Sequence, residues 1–79
     1  MALVRVTGWR RGLQKISMTK VYRRELGITL KPAKEMTDAL LAGEVQEFEV
    51  MPDSRAVAIA EELRQLGGVV EVVPTRRAV

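Results

Sequence analysis

"KISMTKVYRRELGITLKPAKE", residues 15 to 35, holds six basic residues and two acidic ones, and its apolar spacing decides the fold. Met18, Thr19, Tyr22 and Leu26 recur at helical spacing on one side, while Ile16, Lys20, Arg23, Arg24 and Gly27 fall on the other. Gly27 suits the left-handed residue that ends a helix. Thr29 then offers a hydroxyl to cap a second helix, and Pro32 is tolerated in a first turn whose amides need no helical partner. Ala33, Met36 and Leu40, with Leu41 at the margin, give that helix its apolar stripe, and Gly43 closes it. Packed as a hairpin, the two helices bury one side and leave the other to solvent.

Outward from this stretch the period changes. "ALVRV" alternates, Val4 and Val6 on one face and Leu3 and Arg5 on the other, which reads as a strand that stops at Gly8. "GWRRGLQK" reads as a loop between glycines. "EVQEFEV" alternates again with Phe48 and Val50 inward, and "MPDSR", with Pro52 and Asp53 in the places favoured at a helix start, opens a third helix carrying Ala56, Ile59, Ala60, Leu63 and Leu66 at helical spacing. Gly67 and Gly68 end it, "VVEVV" is a third strand, and residues 74–79 are expected to fray. The order is β-α-α-β-α-β. A short amphipathic helix cannot bury its stripe alone, so the expected α+β fold is a two-layer sandwich, three helices on one face of a three-stranded antiparallel-type sheet.

The 79 residues are expected to form a single domain with its core at about residues 2–73, because a second core could not be assembled from the remainder. A chain of this size buries roughly 60% of its unfolded surface, which leaves little room for a deep catalytic cleft. Cysteine and histidine are both absent, which removes disulfides, Cys/His zinc sites and histidine acid-base chemistry. No metal or cofactor is expected. There is no apolar run long enough for a membrane span and no secretory leader, so a cytoplasmic location away from membranes is expected. Charge is uneven: residues 1–34 carry nine Lys/Arg against Glu25 alone, whereas residues 35–79 carry four against nine acids. Such a division steers anionic partners toward one half.

No phosphate-binding glycine loop is present, since "GWRRG" has neither the Walker nor the dinucleotide spacing. Arg10 and Arg11 beside Trp9 have the composition of a phosphate contact with a stacking indole, although a tryptophan so placed more often packs over the edge of a small core. The pairs Glu47/Glu49 and Glu61/Glu62 lack a neighbour that would separate their pKa values, and the first pair reads as the solvent face of a strand. Ile16, Lys20 and Arg23, at i, i+4 and i+7, form one stripe of the first helix, opposite its core stripe. An apolar side chain beside two cations is the composition of a docking surface, and Lys34 joins it if the helices pair.

These same residues resemble a family. Lys15-Ile16-Ser17-Met18-Thr19-Lys20-Val21-Tyr22-Arg23 and Leu26-Gly27-Ile28-Thr29-Leu30-Lys31-Pro32-Ala33-Lys34 are similar, without a gap, to the central motif of the C-terminal domain of the bacterial ribosomal stalk protein, large-subunit protein seven/twelve. "AEELRQLGGVVEVV" looks like that domain's last helix and strand, and the similarity covers about residues 2–73. Thr19, Arg24 and Pro32 depart from it. The resemblance implies the β-α-α-β-α-β fold and a non-enzymatic role in recruiting translational GTPase factors, with catalysis in the partner and ribosome association possible. It implicates Lys15, Ile16, Lys20, Arg23, Gly27 and Lys34, and more weakly Lys31. The expectation is a free-standing stalk-like domain, a paralogue or an excised one, that binds a GTPase or another acidic protein surface. Two other readings are an RNA-binding module using Trp9, Arg10 and Arg11, and a Clp-adaptor-like proteolysis module, which the lack of histidine and of an acidic pocket disfavours. A small enzyme is the weakest reading.

Overall fold

The computed structural model describes residues 2–74. The chain runs β1 (Ala2–Trp9), α1 (Lys15–Leu26), α2 (Leu30–Leu41), β2 (Gln46–Val50), α3 (Asp53–Gln65) and β3 (Gly68–Pro74), the expected order. The strands form one antiparallel sheet in the order β2-β1-β3, so the first strand of the chain is the central one. Ala2, Val4 and Val6 alternate inward, and Val4 faces Phe48 on one side and Val72 on the other. On the outer face Arg5 lies between Glu47 (3.7 Å) and Glu71 (3.0 Å), a cross-strand row of alternating charge.

All three helices cover the inner face. α3 crosses all three strands and α2 touches β1, while α1 packs against α2 and α3. α1 reaches the sheet through long side chains: the Tyr22 ring meets Phe48 edge-on at 6.1 Å, and the Met18 methyl lies over Gly68, 3.1 Å from where a Cβ would stand. A Cβ at position 68 would stand 3.1 Å from both that methyl and the Leu63 carbonyl, a tight fit that would push them by a few tenths of an ångström, so glycine eases the close approach of helix and sheet there. Met18, Tyr22, Ala33, Leu40, Ala56, Ile59, Ala60 and Leu63 are buried as expected, and Leu26, Met36 and Leu66 are partly buried. Val21 and Thr37 are also buried, because α1 is wedged between α2 and α3 and α2 between α1 and the sheet, so each buries more than one stripe.

Four local expectations are corrected. β1 does not stop at Gly8: it continues to Trp9 through an irregularity between Val6 and Gly8, and Trp9 pairs with Gly68. Trp9 therefore belongs to a strand rather than a loop. Thr29 occupies the N-cap of α2, yet its hydroxyl makes no capping bond. Pro74, placed in the fraying tail by sequence, pairs with Ala2 as the end of β3; the rest of that tail lies outside the described residues. Finally, Pro52 caps α3 and Asp53 is its first residue, so the proline stands one place ahead of the favoured position.

A buried polar pair joins α1 to α2. The Thr19 and Thr37 hydroxyl oxygens are 2.9 Å apart, and each also approaches the carbonyl four residues before it, Lys15 at 2.9 Å and Ala33 at 3.2 Å. Two hydroxyl protons serve three such contacts, so one hydroxyl donates across the helices and the other to its own turn. Thr19→Ala and Thr37→Ala, measured singly and together by denaturant unfolding, should show a coupling of roughly 1 kcal/mol. Strictly additive losses would mean that the pair contributes nothing across the interface.

Candidate functional site

The short connection Gly27–Thr29 turns α2 back antiparallel along α1. Gly27 makes this possible: at φ 64° it takes the left-handed conformation, and its N–H donates to the Arg23 carbonyl at 3.1 Å. The two helices leave a groove of about 300 Å³ between their outer edges. α1 lines it with Lys15, Ile16, Lys20 and Arg23, and α2 with Leu30, Lys34 and Asp38, while the buried Thr19 and Thr37 form its floor. The Ile16, Lys20 and Arg23 stripe is thus a flank of α1 facing α2, not the side opposite the core. Ile16 is 75% exposed and Leu30 54%, so the groove has an apolar residue on each wall.

Its electrostatics follow from which arginines find partners. Arg24 shares the helix with Lys20 and Arg23 but turns toward α3, where it bonds Glu62 and, at 3.2 Å, its neighbour Glu25. The Glu62 hydrogen bond and then that of Glu25 raise its guanidinium pKa above the ordinary value. Glu25, whose side chain is 10% exposed, also takes Arg55 at 2.8 Å. Arg5 and Arg64 are paired too. Lys15, Lys20, Arg23 and Lys34 have no ion pair among the described residues, and Asp38 is the groove's one acid. Four cations against one anion give the groove a net charge of +3.

Five of the seven residues singled out by sequence as a partner site therefore meet in one place: Lys15, Ile16, Lys20, Arg23 and Lys34. Gly27 shapes the hairpin but does not line the groove, and Lys31 is exposed outside its lining. Leu30 and Asp38 were missed, although with Lys34 they recur every four residues along α2, a spacing that puts them on one face. Trp9, Arg10 and Arg11 lie outside the groove: Trp9 is 45% exposed, and both arginines are exposed. The backbone of this turn is held by Arg10 N–H donating to the Gly67 carbonyl at 2.7 Å.

No protein-family model, curated protein or solved structure matches this chain. The stalk resemblance thus rests on the residues quoted for it. Among the described residues no cluster of His, Cys, Asp and Glu is arranged to hold a metal ion, and no helix is long and apolar enough to cross a membrane.

Proposed function

We propose that this chain is a non-enzymatic binding module that receives an acidic protein surface in the groove between α1 and α2. The observation that carries the reading is the set of four cations around Ile16 and Leu30 that have no ion partner among the described residues. Cations already neutralised within the fold would contribute little to steering, whereas unpaired ones raise the encounter rate with an anionic partner and exposed aliphatics favour its retention. With the stalk-like motif on these same residues, the partner class we favour is a translational GTPase whose own active site performs the hydrolysis, with ribosome association a further part of the proposal. The test is titration of a purified translational GTPase factor against wild type and against Lys20→Glu/Arg23→Glu.

A second reading has its own observation, the half-exposed Trp9 beside Arg10 and Arg11. If single-stranded RNA were the ligand, Trp9 fluorescence would be quenched on binding and affinity would fall steeply with salt. Under the protein-binding reading, RNA oligomers leave Trp9 emission unchanged at physiological ionic strength.

A further inference from the structure

We infer that the groove's occupant is a partner helix carrying two apolar side chains three turns apart with carboxylates on the turns between them. This rests on the protein-binding reading and specifies the partner's form. Thr19 and Thr37 touch at 2.9 Å across antiparallel helices and so mark one level of the groove. Ile16 lies three residues before Thr19 and Leu30 seven before Thr37, in opposite directions from that level. At about 1.5 Å per residue the two exposed aliphatics stand about 15 Å apart along the groove. By the same count Lys20, Lys34 and Arg23 fall between them, at about 6, 9 and 10 Å from the Ile16 level.

A straight helix laid along the groove matches those levels. Positions i, i+4, i+7 and i+11 share one face at about 0, 6, 10 and 16 Å. An aliphatic at i and i+11 meets Ile16 and Leu30, and carboxylates at i+4 and i+7 meet Lys20, Lys34 and Arg23. An extended peptide is disfavoured because both walls are helices whose backbone bonds are internal. No sheet edge is there to pair with its amides and carbonyls, whereas a helix satisfies its own.

Three synthetic helical peptides of about four turns test this by fluorescence anisotropy. The first has Leu at i and i+11 and Glu at i+4 and i+7; the second has the same composition with the leucines moved to the opposite face; the third has serine for leucine. The first should bind at least about tenfold more tightly than the other two, a difference of about 1.4 kcal/mol. Ile16→Ser/Leu30→Ser, altered only at exposed positions, should lose that preference while binding the third peptide as wild type does. Equal affinity for all three would overturn the inference but leave an acidic partner in the groove, because charge alone would then be read. Binding of the first peptide undiminished by Lys20→Glu/Arg23→Glu would overturn both. Displacement of that peptide by a single-stranded RNA oligomer at lower concentration would also overturn the inference, in favour of nucleic acid.

Discussion

Lys20→Glu/Arg23→Glu is expected to weaken binding of an acidic protein partner at least about 100-fold while the domain stays folded. The double replacement takes the groove from +3 to −1, so that an acidic surface meets repulsion where it met attraction. Like charges juxtaposed across an interface cost several kcal/mol, and a hundredfold loss corresponds to about 2.7 kcal/mol. Stability should change by less than about 1 kcal/mol, because neither side chain makes an ion pair among the described residues. The one expected penalty is Arg23→Glu in the last turn of α1, where a negative charge opposes the helix dipole. Lys20→Gln/Arg23→Gln should fall between wild type and the charge reversal, and wild-type affinity should decline with added salt. Arg24→Glu is the control, since Arg24 points to Glu62 and not into the groove. Partner affinity unchanged by the double reversal, in a variant shown by circular dichroism to be folded, would remove the groove as the binding site.

Tyr22→Ala should lower stability by about 3 kcal/mol, enough to bring a core of this size to the edge of unfolding. Tyr22 is fully buried where α1 meets the sheet, and its ring packs edge-on against Phe48. Truncation removes both the transferred apolar area and that contact. Tyr22→Phe should act in the opposite direction, because the Tyr22 hydroxyl has no hydrogen-bond partner among the described residues. Replacing it with hydrogen relieves a desolvated polar group and should raise the melting temperature by several degrees, on the order of 1 kcal/mol. Burial pushes the Tyr22 phenol up to about 12 from 10.0. Between those values the unfolded chain gives up the proton while the folded one keeps it, so the folded state binds more protons and stability falls as pH rises through that window. Denaturant unfolding measured from pH 9 to pH 12 should show this loss in wild type and less of it in Tyr22→Phe. A destabilised Tyr22→Phe would mean that the hydroxyl is bonded after all.

The sequence made the hairpin legible because α1 and α2 carry their core apolar residues at regular helical intervals. Met18 and Tyr22, and Ala33 and Leu40, could be assigned to the core without knowing what lay against them. It also placed Lys15, Ile16, Lys20, Arg23 and Lys34 outside that core, and the alternation of Val4 and Val6 gave the inward face of the sheet. Trp9 was less legible. A glycine beside it reads as the end of a strand, but pairing with Gly68 carries the strand past Gly8. Local propensity yields there to hydrogen bonds supplied by residues some sixty positions away.

What sequence determined by itself is the face on which each side chain of an element lies, since backbone geometry fixes that period irrespective of neighbours. Only the tertiary structure decided which cations remain available. Lys20, Arg23 and Arg24 are near neighbours on one helix, yet Arg24 is taken by Glu62, 38 residues away on α3, while Lys20 and Arg23 are left open to solvent beside Lys34. The same holds for Leu30 and Asp38 entering the groove and for Thr19 meeting Thr37 beneath it. Ion pairs and grooves belong to the space between elements, and that space is set by how the helices pack on the sheet rather than by the period along any one of them.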